Sequence, residues 1–190
     1  MTSYKLIEAT PESAVGIELR GALREFWACH DHEVMLVGPA ETGKTFGGLH
    51  KLDALMWKYP GAQAAIVRKF ASTMAGTVCQ TFEKVINPEA VKTLGGTRPE
   101  RYIYPNGSQV WIGGMDNPNK VLGGERDFIY VNQAEELTLD DWETLLTRAT
   151  GRAAHSPYAQ LMGDCNPGGS RHWIRSRPSL TRLVSVHQDN

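Results

Sequence analysis

The chain has 190 residues, enough for one domain with a sizeable core. Hydrophobic residues make up 41% and charged residues 22%, a globular balance that excludes wholesale disorder. Lys and Arg number 20 against 21 Asp and Glu, a formal net charge of −1, so a uniformly basic nucleic-acid coat is excluded while a local basic surface is not.

No apolar run approaches the ~20 residues needed to cross a bilayer. The opening MTSYKLIEAT lacks the basic-then-apolar pattern of a secretory signal. Cys29, Cys79 and Cys165 are odd in number, far apart and without a C-x-x-C pair. That argues against a disulfide framework or a structural zinc site, and for a reducing compartment.

In chain order, Thr10-Pro11-Glu12 reads as an N-cap, a first-turn proline and an early acid. Leu19, Leu23, Phe26 and Trp27 then recur at helical spacing, which predicts an amphipathic helix over about 11–29. Glu33 to Val37 is a short apolar run ending at a glycine loop, a buried strand. A helix follows from Lys44 to Lys58, stopped by Tyr59-Pro60-Gly61. Ala64 to Val67 is a second buried strand, and residues 71–86 read as helix up to Asn87-Pro88. Arg101–Tyr104 and Gln109–Ile112, around Pro105-Asn106-Gly107, read as a hairpin, followed by a glycine-rich loop over 113–124. Phe128 to Val131 is a third buried strand. Thr138 with Asp141 forms a capping box that opens a helix to about Arg148. Tyr158 to Met162 is a further strand, and Leu180 to Val186 the last. Strands alternating with helices imply a parallel sheet covered on both faces.

The segment Gly38-Pro39-Ala40-Glu41-Thr42-Gly43-Lys44-Thr45 is G-x-x-x-x-G-K-T, placed between a predicted strand and a predicted helix. Its glycines let successive N–H groups face a polyphosphate, and the helix start adds a favourable dipole. Lys44 can reach the outer phosphates of ATP, and the Thr45 hydroxyl can ligate Mg²⁺. A nucleotide hydrolase of this class needs a second strand ending in acids, one for magnesium and one for the attacking water. After Val131, Asn132-Gln133 stands where Asp-Glu is usual. Asn132 can accept from a magnesium-bound water. Gln133 can orient a water but takes no proton near neutral pH. Glu135 and Glu136 follow and can supply the carboxylate, with Glu135 the expected base and Glu136 the runner-up.

The ordered set resembles the large terminase subunit of tailed phages. It comprises Gly21 to Trp27, the phosphate loop, Ile66-Val67-Arg68-Lys69, Asn106-Gly107-Ser108 through Gly123, Gln133-Ala134-Glu135-Glu136-Leu137, and Asp164-Cys165-Asn166-Pro167 leading to His172-Trp173. The resemblance implies an α/β P-loop NTPase of the additional-strand class, with a mainly parallel sheet and a β-hairpin insertion. It implies an ATP- and Mg²⁺-dependent motor that translocates double-stranded DNA into a procapsid, with Asn166 near a γ-phosphate-sensing coupling segment. Implied partners are double-stranded DNA, a portal protein, a small terminase subunit and further copies in a homo-oligomeric ring, in host cytoplasm and without a membrane. Residues 1–190 then form one ATPase domain, with 1–30 as its N-terminal helical segment and no nuclease domain.

Arg20, Arg24 and Trp27 precede the first strand, where related motors hold adenine, although the apolar face favours a core role for Trp27. Arg68, Lys69, Arg98, Arg101, Lys120, Arg148 and Arg152 lie near strand ends or the hairpin. From these, a phosphate-tracking groove or an arginine acting in a neighbouring subunit can be drawn. Cys165 has no histidine beside it in sequence and reads as a small buried thiol. Two alternatives stay open, a P-loop small-molecule kinase and a nucleotide-binding scaffold with little hydrolysis.

Overall fold

The computed structural model describes residues 19–119, 123–154, 156–166, 168–169 and 171–187. The Thr10 cap, the front of the first predicted helix, Lys120 and Pro167 lie outside them. The apolar runs become strands Glu33–Val37 (β1), Gln63–Arg68 (β2), Lys92–Leu94 (β3), Arg101–Ile103 (β4), Gln109–Gly114 (β5), Phe128–Val131 (β6), Gln160–Cys165 (β7) and Thr181–Val184 (β8). They form one sheet in the order β3-β4-β5-β2-β6-β7-β1-β8. β5, β2, β6, β7, β1 and β8 are mutually parallel, while β3 and β4 run antiparallel at one edge. β6 and β7 are therefore inserted between β1 and β2, the additional-strand arrangement that the sequence led one to expect.

Residues along the central strands alternate between two buried layers, as parallel strands covered on both faces require. Val34, Leu36, Ala64, Ile66, Phe128 and Tyr130 pack with Phe26 of α1 (Gly21–Ala28), Leu49, Leu52 and Met56 of α2 (Lys44–Lys58), and Phe82 of α3 (Gln80–Glu83). Met35, Ala65, Val67, Ile129 and Val131 pack on the opposite face. Their partners are Trp142 and Leu145 of α4 (Leu139–Leu146) and Ile174 of α5 (Trp173–Ser176). Thr138 and Asp141 form the expected capping box at α4. Phe26 is the fully buried residue of α1, and Trp27 is half-buried.

Three expectations are corrected. Residues 71–86 are not one helix but a 3₁₀ turn at Ala71–Thr73, a π turn at Ala75–Cys79, and α3. Threonine hydroxyls compete for the backbone: Thr77 Oγ1 donates to the Thr73 carbonyl at 2.6 Å and Thr81 Oγ1 to that of Thr77 at 3.2 Å. The strand predicted at 158–162 starts at Gln160 and runs on through Asp164 and Cys165. Its polar residues are tolerated because neighbouring strands supply donors. Gly113 and Gly114 belong to β5 rather than to the loop after it.

The hairpin turn is also an anchor. Asn106 Nδ2 donates to the Met56 carbonyl at 2.8 Å, and Ser108 Oγ donates to the Tyr59 carbonyl at 2.9 Å. Tyr104 Oη donates to Asp53 at 2.7 Å. The Asn-Gly-Ser segment thus ties the hairpin to the end of α2.

Across the sheet, Glu33 is 5% exposed, accepting from Trp142 Nε1 at 2.6 Å and from Arg177 Nε at 2.6 Å. Burial pushes its pKa up, but the hydrogen bonds from Arg177 and then Trp142 outweigh that and leave it below the ordinary value. With the folded pKa depressed, the stabilisation is complete above the ordinary 4.5 and is lost as pH falls through the lower folded value. Glu33→Gln should cost about 2 kcal/mol at neutral pH, the scale of a hydrogen bond to a charged group. Urea melts of both proteins should converge as the pH drops below the ordinary glutamate range; an equal gap at all pH values would refute the assignment.

Candidate functional site

β1 delivers the chain into the phosphate loop, and the loop needs its glycines for specific reasons. A Cβ on Gly38 would come within 2.3 Å of the Ser185 carbonyl oxygen. Glu41 and Gly43 take left-handed φ values of 64° and 72°. Left-handed residues in such a loop turn successive amides toward one concavity. Gly43 caps α2 with no side-chain hydrogen bond, so no cap side chain covers the first-turn N–H groups. Lys44 is 7% exposed, and its Nζ donates to the Pro39 carbonyl and, at 3.3 Å, to Thr42 Oγ1. Burial pushes its pKa below the ordinary value, and the largest opposing influence is the charge of Asp164.

The loop forms one wall of a cleft of about 530 Å³. Asn132, Gln133, Asp164 and Asn166, at the carboxyl ends of β6 and β7, form its floor. The π turn and α3 supply the far wall through Gly76, Thr77, Gln80, Thr81 and Lys84. A cleft at the carboxyl ends of parallel strands is where open α/β sheets bind ligands, and π turns recur at such sites.

Thr45, Asn132, Gln133 and Asn166 line the cleft, while Glu135 stands outside its lining and is tied to it through Asn166. Asn132 Nδ2 lies 3.4 Å from Thr45 Oγ1, joining the second strand to the phosphate loop. Gln133 adopts φ 54°, ψ 56°, a left-handed conformation costly for a side chain with a Cβ, and its Oε1 is buried without a partner among the described residues. Glu135 accepts from Asn166 Nδ2 at 3.0 Å through Oε1, while its Oε2 is buried and unpaired among the described residues. His172 lies 3.1 Å from the Glu135 carbonyl and fixes that turn. Glu136 points elsewhere, accepting from Arg68 Nε at 3.3 Å and Nη2 at 3.2 Å.

Asp164 is the residue that sequence reasoning passed over except as part of a resemblance. It is 3% exposed and lies against Asn132. The signal was an acid inside the apolar run Leu161 to Cys165, where an unpartnered charge would be costly. Its carboxylate accepts from Tyr130 Oη, from Gln133 N at 2.9 Å, and from Asn132 Nδ2 at 3.2 Å to each oxygen. Burial pushes the Cys165 thiol up to about 12, so it stays protonated and plays no nucleophile.

The basic candidates scatter. Arg68 lines the cleft but is engaged by Glu136 and, at 3.1 Å, by Thr77. Lys69 pairs with Asp141 at 2.7 Å and Arg152 with Glu125 at 3.3 Å. Arg101 stacks on Trp111, 4.6 Å from the ring centre. Arg24, Arg98 and Arg148 are exposed. No cluster of three or more His, Cys, Asp or Glu side chains among the described residues could hold a metal alone. Thr45 and Asn132 offer hard oxygens of the kind Mg²⁺ takes when phosphates and waters complete its shell.

No protein-family model and no curated protein matches the chain. Solved structures do. The large terminase of a thermophilic bacteriophage in complex with ADP superposes with a TM-score of 0.74 at 12% identity, over 91% of this chain and 46% of that one. An ATPase-domain mutant of the Thermus phage P74-26 large terminase gives 0.62 at 14%, over 90% of this chain and 83% of that one. The HK97 bacteriophage large terminase gives 0.61 at 17%, over 86% and 37%. This chain has the fold of large terminase ATPase domains and spans about half the length of the ADP-bound terminase, 46% of it.

The cleft depends on a close approach of α2 to β6. A Cβ on Gly48 would fall 2.4 Å from the Tyr130 ring, which is fully buried and hydrogen-bonded to Asp164. Gly48→Ala should therefore destabilise by about 1–3 kcal/mol despite the better helix propensity of alanine. Thermal unfolding would check this; a rise in midpoint would show that Tyr130 can move aside.

Proposed function

We propose that this chain is the ATP-hydrolysing part of a viral motor that drives double-stranded DNA into a procapsid. The observation that carries the reading is one cleft in which a buried P-loop lysine faces the Asn132, Asp164 and Asn166 cluster, with Glu135 joined to it. The fold shared with large terminases, one of which has been solved with ADP and with ATP-gamma-S, supports the same reading.

In this reading the loop amides and Lys44 bind the outer phosphates of ATP and neutralise charge that grows at the leaving oxygen. Thr45 and Asn132 hold Mg²⁺, which when bound supplies further neutralisation of the phosphate oxygens. Glu135 orients the attacking water and accepts its proton at Oε2, which has no partner among the described residues, and Asn166 keeps the carboxyl group in place through Oε1. Gln133, held in its left-handed conformation by Asp164, adds a second polar contact to that water. Asn166 then links the phosphate end of the cleft to the chain leading into α5, a route for coupling hydrolysis to movement. Arg68 is engaged within its own chain, so the arginine that completes such sites comes from a neighbouring copy in a ring. DNA, a portal protein and a small terminase subunit are the partners that a packaging role requires.

Phosphate release measures these roles. Lys44→Ala should lose about 10³-fold or more in rate. Glu135→Gln should lose about 10²–10⁴-fold, whereas Glu136→Gln should stay far closer to the wild type. Gln133→Glu raising the rate while Glu135→Gln leaves it intact would reverse the assignment of the base. Wild-type turnover should be slow and should rise with protein concentration, because a trans-acting arginine is worth about 10³–10⁵ in rate. Phosphoryl transfer to a small acceptor would instead indicate a kinase, and binding without turnover a scaffold.

A further inference from the structure

We infer that Asp164 supplies the negative charge of the magnesium half-site, one strand away from the position where a P-loop ATPase keeps it, and delivers it through Asn132. The inference rests on the ATPase reading and adds the group that makes Asn132 competent.

The need is chemical. Mg²⁺ bound to phosphates is normally also held by at least one carboxylate, directly or through its waters. The end of β6 offers Asn132, which carries no charge. Among the described residues lining the cleft, the carboxylates are Glu41 and Asp164. Glu41 is exposed on the loop itself, whereas Asp164 is buried behind Asn132.

The geometry supplies the route. β6 and β7 are paired in parallel with Val131 opposite Gly163, so the next residues, Asn132 and Asp164, end side by side. β1 pairs with β7 at Leu36 and Asp164, which brings the same carboxylate to the root of the phosphate loop. Both oxygens of Asp164 lie 3.2 Å from one atom of the Asn132 amide. Only the NH₂ end can face a carboxylate at that distance, which fixes the amide orientation. Its oxygen is turned away from Asp164, and the amide's N–H bonds to a charged acceptor make that oxygen a stronger acceptor for magnesium or its water. Thr45 Oγ1 lies 3.4 Å from the same nitrogen, so Thr45 and Asp164 both meet the donor end of the amide.

A purely structural carboxylate would be expected to pair with a cation when buried so deeply. Asp164 has no ion pair among the described residues. Neutral donors hold it, and it lines the same cleft as Lys44 of the phosphate loop. A buried carboxylate held by neutral donors beside a phosphate loop is an arrangement to which a divalent cation adds the missing positive partner. Asp164 is thus a positioning residue whose charge acts through Asn132.

The test is a Mg²⁺ titration of fluorescent-ADP binding, with a parallel titration in EDTA. Asp164→Asn should raise the magnesium concentration for half-maximal binding about 10–100-fold, the usual cost of losing a group that supports a metal ligand. Binding in EDTA should change little. The double variant Asn132→Asp/Asp164→Asn restores one carboxylate to the pair and should bring the magnesium midpoint back toward the wild type. An Asp164→Asn midpoint equal to the wild type, or a double variant that stays shifted while folding normally, would overturn the inference and leave the ATPase reading standing. If Asp164→Asn fails to fold, the double variant decides alone, since it keeps the charge and the cross-strand hydrogen bond. Wild-type protein that binds no nucleotide at any magnesium concentration would overturn both readings.

Discussion

Asp164 is the point at which three parallel strands are tied together. Its backbone is paired to β1, its carboxylate receives Tyr130 and Asn132 from β6 and its end, and the same carboxylate holds the backbone of Gln133 in a left-handed turn. A buried carboxylate must have its lone pairs met, and here each donor that meets them is part of the cleft or its support. Satisfying one charge therefore places the end of β6, the polar floor and the turn leading to Glu135. The same demand explains Gly48, because Tyr130 reaches Asp164 only if α2 carries no side chain at that spot.

The two sides of the cleft differ in how regular their backbone is. The phosphate-loop side is framed by parallel strands buried on both faces and by a fifteen-residue helix. The far wall is a π turn and one turn of α-helix, with threonine hydroxyls bonding back to the chain. Arg68 bridges the sides, reaching Thr77 in the π turn and Glu136 in the turn after β6. Its side chain is largely buried, 11% exposed, so its charge pair is less screened than a surface bridge would be. A shift of the π turn would therefore be felt at Glu136 and, one residue earlier, at Glu135.

Much of this protein was legible in its sequence because the relevant forces are local. The Gly38–Thr45 loop, the bounds of β1 and α2, and the Thr138–Asp141 cap follow from backbone freedom, apolar runs and capping chemistry within a few residues. The hairpin at Asn106-Gly107 was readable from turn residues alone, although its anchoring to the end of α2 was not. The resemblance to large terminases rested on such local segments in order, and the shared fold agrees with it.

What the sequence could not decide were the pairings between segments distant along the chain. Nothing near Glu136 shows that it faces Arg68, sixty-eight residues away, and not the cleft. Nothing near Asp164 shows that Tyr130, Asn132 and Gln133 will meet its charge, because those donors arrive only once β7 is inserted between β1 and β6. The threonine-broken turn at 71–86 was missed for a related reason. Helical periodicity weighs side-chain pattern, while the outcome was set by hydroxyl competition and by Arg68 reaching across to Thr77. The sequence alone determined most of the elements and the Gly38–Thr45 turn between β1 and α2, since those depend on neighbours in the chain. Only the tertiary structure decided which carboxylate is buried in the cleft floor and which donors meet it, since those donors come from a strand distant in the chain.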